Sequence, residues 1–283
     1  MKLAITMLAI AATALASDYK LEEREAYHHT FSGDHTLDVD EVNGFIVVTG
    51  DGGNTIRVDA EKVMRAEDAE QMARAKREVV LDVNEKNGIA QLYVNGPFRN
   101  NGHTSDDHGF HEHNDRHYDV TYNFTIHAPR AIALKLRTIN GKIQTADTTG
   151  KFDVHTINGK VTLTNIAGSG NAETLNGDTT ITFRENPKTD SLFRTFNGYV
   201  EVGFQPNLAA DIHLKTFNGQ AYTDFDSTAL ASVAAKAERG SNGMFVYKKD
   251  RESSVRIGTG GPQLNFETFN GSIKIRKLIG EKN

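Results

Sequence analysis

The tract from residue 100 to residue 118 concentrates side chains that can bind a metal ion. It reads NNGHTSDDHGFHEHNDRHY, in which histidines are interleaved with aspartates and a glutamate. Imidazole nitrogens and carboxylate oxygens are ligands of Zn²⁺, Ni²⁺ and Cu²⁺. On a strand, His111 and His113 would point to the same face. The sequence therefore offers a divalent transition metal as a candidate cofactor, with His108, His111, His113 and His117 as the candidate ligands.

The same tract also fits a simpler interpretation, a solvated loop that binds no cofactor. It contains little apolar surface beyond Phe110, and such a segment cannot bury enough of itself to become ordered. A His-rich composition does not specify ligand geometry. Both interpretations stay open at the level of the sequence.

Three aspartates near the edges of repeated segments, Asp147, Asp178 and Asp224, are candidates for acid–base chemistry. Some β-helical enzymes cleave polysaccharides with acids displayed on one face of a stack. Here no two acids recur at one fixed offset from the repeat, there is no tryptophan to stack on a sugar, and no G-x-S-x-G motif is present. The sequence therefore predicts a protein that is not an enzyme, with a polysaccharide hydrolase or lyase as the alternative.

The first 16 residues are typical of a secretory signal peptide. Lys2 precedes an apolar run from Leu3 to Leu15, and the small-residue ending predicts cleavage before Ser17. No later segment is long and apolar enough for a membrane span, so we expect no transmembrane span after cleavage. We expect one domain to follow, residues 17–283, in an exported protein.

The composition narrows the classes of partner. The net charge is −5, or −6 once Lys2 is removed, so there is no basic footprint for nucleic acid. Cysteine is absent, so disulfides cannot stabilise an exported form of the chain. Its stability must come from burial and backbone pairing.

A four-residue corner, Thr-x-Asn-Gly, occurs six times, and a degenerate copy lies near the start. Successive asparagines of the six full copies are 18, 18, 21, 21 and 52 residues apart, which is typical of a stacked repeat with one long insertion. Apolar and polar residues alternate on both sides of each corner, as in strands. The paired corner residues are Asn43 and Gly44, Asn140 and Gly141, Asn158 and Gly159, Asn176 and Gly177, Asn197 and Gly198, Asn218 and Gly219, and Asn270 and Gly271.

Two architectures compete for this repeat. Asn-Gly between strands also favours a two-residue hairpin. In a hairpin the residue before asparagine would lie alone on a polar face, although it is always Ile, Leu or Phe in the six full copies. We therefore expect the inward–outward alternation of the strand to be interrupted at the threonine, so that the residue before the asparagine points inward. This favours an all-β fold, a right-handed parallel β-solenoid (single-stranded β-helix) of 18–21-residue coils, in which stacked asparagines form a ladder and the phenylalanines stack.

Two segments interrupt the repeat. Residues 65–77 predict a helix whose inner side carries Ala69, Met72, Ala73 and Lys76. A second insertion, residues 226–262, explains the long spacing. Its STALASVAAKAERG portion predicts a short helix that ends at Gly240.

These features together resemble the bacterial putative-adhesin family of β-strand-repeat proteins, an exported domain of unknown function. The resemblance lies in the export signal, in LDVDEVNGFIVVTGDGGNTIRVDAEK with the helix after it, and in the serial corners that end in FETFNGSIKIRK. It covers residues 26 to 278. The resemblance implies a right-handed β-solenoid outside the cytoplasm. It implies no catalytic residues in this sequence.

The sequence thus predicts an exported, non-enzymatic protein, either a putative adhesin or an envelope-associated binding or structural scaffold. It would be periplasmic, at the cell surface or secreted, and its partner would be a protein or glycan of the cell envelope. One alternative is a metal-binding extracytoplasmic protein that uses the His-rich loop. The other alternative is a polysaccharide-acting β-helical enzyme.

Overall fold

The computed structural model describes residues 4–6, 19–99, 117–230, 238–239, 245–246 and 252–278. The predicted signal peptide lies outside these residues, apart from a short strand at Ala4–Thr6. The strands of the first half are β1 (Ala4–Thr6), β2 (Leu21–Ser32), β3 (Thr36–Asp40), β4 (Ile46–Asp51), β5 (Thr55–Ala66), β6 (Val80–Lys86), β7 (Ile89–Asn95) and β8 (Tyr118–Pro129). A helix, α1 (Ala69–Glu78), lies between β5 and β6.

The second half of the described chain is made of shorter strands. They are β9 (Leu134–Asn140), β10 (Ile143–Ala146), β11 (Phe152–Asn158), β12 (Val161–Ile166), β13 (Gly170–Asn176), β14 (Thr179–Phe183), β15 (Ser191–Asn197), β16 (Val200–Phe204), β17 (Ala210–Asn218), β18 (Ala221–Thr223), β19 (Ser227–Ala229), β20 (Glu238–Arg239), β21 (Phe245–Val246), β22 (Glu252–Ile257), β23 (Gln263–Asn270) and β24 (Ile273–Lys277).

Two large sheets of eleven strands each dominate the described residues. The first sheet has the order β1-β2-β5-β8-β4-β10-β12-β14-β16-β24-β18, and the second has the order β19-β22-β17-β23-β15-β13-β11-β9-β3-β7-β6. The core lies between them: Phe183 of the first sheet contacts Phe193 of the second with ring centroids 6.0 Å apart. Alternating side chains of the repeat strands, such as those of β11, point into this core, as the period of two in the sequence predicts.

The predicted single-stranded parallel β-solenoid is wrong, because both sheets are mixed. In the first sheet β2 pairs antiparallel with β5 over twelve residues, and β5 pairs antiparallel with β8. In the second sheet β6 and β7 form an antiparallel pair, as do β17 and β22. The corner repeat does not extend into these flanking strands, so it gave no information about their direction.

Each repeated corner joins the two sheets, and we call a corner with its two arms a rung. The arm before the asparagine pairs with its equivalents in the second sheet, and the arm after the glycine pairs in the first sheet. The two arms of one corner therefore never pair with each other, which excludes the hairpin alternative as well. Within the repeat, neighbouring rungs are parallel and in register, with Asn158 paired to Asn176.

The rungs do not stack in chain order. β23 lies between β15 and β17, and β24 lies between β16 and β18, so the last rung is inserted before the penultimate one. Where residues 226–262 are described they contain strands, including Ser227–Ala229 and Glu238–Arg239. These two strands contradict the predicted helix at both of its ends, and residues 231–237 between them lie outside the described residues.

The helix is present but begins later than predicted, at Ala69 rather than near residue 65. Strand β5 continues to Ala66, and the Asp68 side chain then caps the helix by accepting a hydrogen bond from the Gln71 amide at 2.9 Å. The buried helix residues are Met72 and Ala75, so the predicted inner face is correct only for Met72.

A buried lysine fixes the end of the helix to the sheet beneath it. Lys62 Nζ donates a hydrogen bond to the Val79 carbonyl at 2.7 Å and lies 4.0 Å from Glu25 Oε2. Burial lowers the pKa of Lys62. The Val79 carbonyl lies at the C-terminal end of the helix, which carries partial negative charge and favours a cation.

Corner glycines are required by close approach of the backbone. A Cβ atom added to Gly141 would lie 1.5 Å from the Gly44 carbonyl oxygen, and the same clash at 1.7–2.0 Å recurs at the five later corner glycines. Such a contact cannot be relieved by rotating a side chain, because the obstructing atom belongs to the backbone. Each glycine therefore sets how closely one rung approaches the next.

Replacing Gly141 with alanine should lower the free energy of unfolding by more than ~2 kcal/mol, because the rungs must separate to admit the methyl group. Urea unfolding followed by circular dichroism measures the change. Gly52→Ala is the matched control, since nothing lies within 4 Å of a Cβ there, and it should change stability by less than ~1 kcal/mol. Equal stabilities of the two variants would contradict the close approach.

Candidate functional site

The corner asparagines form a continuous ladder along one edge of the protein. In each step the Nδ2 atom of one asparagine donates to the Oδ1 atom of the next, at 2.7–2.9 Å. The spatial order is Asn43, Asn140, Asn158, Asn176, Asn197, Asn270 and Asn218. All but Asn43 are exposed, so the ladder presents a row of amides to solvent.

The threonine and glycine of each corner add two further bonds between rungs. The Thr156 hydroxyl donates to the Gly141 carbonyl at 3.0 Å, and the Gly141 amide donates to the Asn158 carbonyl at 3.0 Å. The hydroxyl bond repeats at Thr174, Thr195, Thr268 and Thr216 at 2.7–3.1 Å. From Asn140 onward, three hydrogen bonds per step hold the corners as a rigid edge.

The residue before each asparagine points outward, which corrects the prediction that it is buried. Ile139, Leu175, Phe196, Phe217 and Phe269 are 37–49% exposed, and Ile157 is half-buried. The strand alternation continues through the threonine, which takes the inward position because its hydroxyl bonds to the neighbouring glycine carbonyl. The alternation is interrupted only at the Asn-Gly pair, and it resumes in the next strand with Ile143 buried.

These outward side chains form one apolar line, which we call the corner stripe: Ile139, Ile157, Leu175, Phe196, Phe269 and Phe217 in spatial order. The predicted stacking of the phenylalanines is present, but on the outside. The Phe269 ring lies 4.7 Å from Phe196 and 4.7 Å from Phe217, with planes within 5° of parallel. Stacking fixes the three rings relative to one another.

The first corner differs from the rest, because Glu41 replaces threonine and Val42 is buried. The Thr138 hydroxyl donates to Glu41 Oε2 at 2.5 Å, while Glu41 Oε1 has no hydrogen-bond partner among the described residues. Burial raises the pKa of Glu41 to about 8, and the Thr138 bond only partly opposes this. The carboxyl group is therefore protonated in the folded protein at neutral pH.

Only one of the four candidate metal ligands lies within the described residues. His108, His111 and His113 lie outside the described residues. His117 is described, and its Nδ1 atom lies 3.1 Å from Glu67 Oε2. Within the described residues there is no group of three or more side chains arranged to hold a metal ion.

The three candidate acids lie on separate turns and each has a structural partner. Asp147 accepts a hydrogen bond from the Asn165 amide group, and Asp178 Oδ1 accepts one from the Tyr199 backbone amide at 3.1 Å. Asp224 lies 3.6 Å from Arg276. No pair of these aspartates forms the two-carboxylate arrangement that glycoside hydrolysis uses.

No protein-family model matches the chain, and no curated protein matches it. Among solved structures it is similar to a putative cell adhesion protein from Clostridium sporogenes, with 10% identity, a TM-score of 0.37, and coverage of 89% of this chain and 100% of that chain. A putative adhesin from Bacteroides fragilis has 9% identity and a TM-score of 0.34, with 89% and 97% covered.

A third similar structure, from Parabacteroides distasonis, is described as a putative lipid binding protein. It has 8% identity and a TM-score of 0.29, with 90% of this chain and 97% of that chain covered. The description of the second structure, putative adhesin, is the one carried by the family that the sequence resembles. At these identities and TM-scores the likeness assigns no function to this chain. Among the described residues, no helix is long and apolar enough to cross a membrane.

Glu41→Gln should make the protein less sensitive to high pH. The folded pKa of about 8 lies above the ordinary value of 4.5, so the stability that depends on the protonated carboxyl is present below pH 4.5 and is lost as pH rises through 8. At pH 9 the variant should therefore be more stable than the unsubstituted protein by a few kcal/mol, on the order of ~2–4.

Urea unfolding at pH 4, 6 and 9 measures this difference. Glu70→Gln, which changes an exposed carboxyl in the first turn of the helix, is the control and should keep the pH dependence of the unsubstituted protein. Parallel pH profiles for Glu41→Gln and the unsubstituted protein would contradict the buried, protonated state of Glu41.

Proposed function

We propose that this chain is an exported, non-enzymatic binding protein of the bacterial cell envelope, and that it attaches to its partner through the corner stripe. The observation that carries the proposal is one line of six large apolar side chains on the surface, five of them exposed and one, Ile157, half-buried. Isolated exposed apolar residues are common on protein surfaces, but a contiguous line of them is typical of an interaction site.

The length of the line suits an extended contact. Six rungs at a strand spacing of about 4.8 Å give a stripe about 24 Å long. The amide ladder runs beside it and offers hydrogen-bond donors and acceptors at the same spacing. An apolar line next to a polar row resembles the core and rim of protein interfaces.

Rigidity of the corner also supports binding. The stripe residues lie between a threonine and an asparagine that are both hydrogen-bonded to neighbouring rungs. Phe196, Phe269 and Phe217 are further held by ring stacking. A surface that is already ordered loses little conformational entropy when a partner binds.

Export and the absence of catalysis are parts of the proposal that rest on the sequence and on the described contacts. Export rests on the signal-peptide pattern of residues 1–16. The non-enzymatic assignment rests on Asp147, Asp178 and Asp224, which are engaged with neighbours on separate turns.

Binding of fluorescently labelled protein to bacterial envelope fractions tests the proposal. The variant Phe196→Thr/Phe269→Thr/Phe217→Thr keeps β-forming side chains but removes the aromatic half of the stripe, and it should bind at least ~10-fold more weakly. The control is Val80→Thr/Ile89→Thr, because these apolar residues are 39% and 40% exposed on the distant β6–β7 hairpin.

The control variant should bind like the unsubstituted protein. Absence of binding to every envelope fraction would contradict the proposed function. Binding that survives loss of the three rings would contradict the assignment of the corner stripe as the contact surface.

A further inference from the structure

The corner stripe changes in size along its length. Its first three rungs carry aliphatic side chains, Ile139, Ile157 and Leu175, and its last three carry phenyl rings, Phe196, Phe269 and Phe217. The phenyl half forms a continuous ring stack, whereas the aliphatic half is lower and narrower. A partner that fills the surface evenly must therefore be bulky opposite the aliphatic half and small opposite the phenyl half.

The spacing between neighbouring side chains of the stripe indicates which kind of partner can match it along its whole length. Neighbouring rungs are one strand spacing apart, about 4.8 Å, whereas an extended peptide laid along the stripe repeats its side chains on one face every ~6.8 Å. Such a peptide loses register within a few residues. A second stack of rungs has the same repeat and stays in register over the whole length.

We propose that the partner of the corner stripe is a second copy of this chain, placed with its stack of rungs antiparallel to the first. In this arrangement Ile139 faces Phe217, Ile157 faces Phe269 and Leu175 faces Phe196, so an aliphatic side chain meets a phenyl ring at every rung. The contact is symmetric and closes as a dimer with a two-fold axis between the Leu175 and Phe196 rungs. The proposal rests on the proposed function and names the partner of that same surface.

A parallel arrangement of two copies fits less well. Each side chain would then face its own equivalent, so phenyl rings would meet phenyl rings and hold the aliphatic halves apart. Gaps of that kind lose van der Waals contacts and leave apolar surface in water. The graded stripe therefore favours the antiparallel pair.

Charges beside the stripe are consistent with the antiparallel pair. The residues before the threonines lie on the same outward face as the stripe. Across the two-fold axis, His155 would face Glu267. The ion pair that Glu173 and Arg194 form within one chain would lie beside the same pair of the second copy, with opposite charges next to each other. Arg137 and Lys215 would face each other at the outer ends of the contact, where Arg137 lies 3.4 Å from the Asp153 carboxylate.

On the other side of the ladder, the residues that follow the corner glycines cause no charge repulsion between the two copies. Lys142 would face Gln220, Lys160 would face Ser272, and Asp178 would face Tyr199. No two like charges meet on this side. The two rows of asparagine amides would lie next to each other and can exchange hydrogen bonds.

The area of the contact predicts a weak dimer. A stripe about 24 Å long with a flank on each side buries roughly 500 Å² per copy, less than the ~800 Å² per partner of a standard stable interface. Association should therefore appear at high protein concentration in solution. Many copies on facing envelopes would bind together far more strongly than one pair, because the contacts act at the same time.

Sedimentation velocity over a range of protein concentrations tests the dimer. The unsubstituted protein should shift from monomer to dimer as concentration rises, and Phe269→Thr should weaken association at least ~10-fold. Ile89→Thr, which changes a similarly exposed apolar residue on the distant hairpin, should associate normally. A monomer at every concentration would overturn the proposal, and if envelope binding persisted the proposed function would still stand.

Orientation can be tested with single cysteines, because the natural chain has none. With a short bis-maleimide cross-linker, Leu175→Cys should cross-link to its own copy, since it lies next to the two-fold axis. Ile139→Cys and Phe217→Cys each lie about five rungs, or ~24 Å, from their own copies and should cross-link only when the two variants are mixed. Self-cross-linking of all three variants would show a parallel pair and overturn the antiparallel proposal.

Discussion

The close approach of one corner to the next is the constraint on which the rest of the structure depends. The carbonyl oxygen of each corner glycine occupies the space that a Cβ atom would need on the next corner, so the rungs can stack only where glycine is present. The asparagine side chain and the threonine hydroxyl then bond across the same gap. Together they set the register, and the register determines which side chains face outward.

The same constraint explains why an apolar residue points outward in every full corner. The inward position two residues before the asparagine is taken by threonine, whose hydroxyl donates to the glycine carbonyl of the neighbouring rung. The residue between them has no inward place left, whatever its hydrophobicity. Its exposure costs solvation free energy, and a repeated cost of this kind is typical of a surface that is used for binding.

Part of this architecture can be read from the sequence. The spacing of the corners predicts a stack, and Asn-Gly predicts a tight corner, because both are local properties of the backbone. The direction of Leu175 or Phe196 could not be predicted, since it depends on a hydrogen bond from threonine to another rung. Strands β2, β5 and β8 show the alternation of a strand, but nothing in their sequences indicates which strands they pair with or in which direction. Likewise, no residue indicates that β23 lies between β15 and β17.

The outward direction of the corner stripe is the central claim, and thiol labelling tests it most directly. Leu175 and Ala172 lie in the same strand, one exposed and one buried, so Leu175→Cys and Ala172→Cys form a matched pair. In the native protein a maleimide should react with Cys at position 175 at nearly the rate of a free thiol, and with position 172 only after unfolding. Equal protection of both positions would contradict the account.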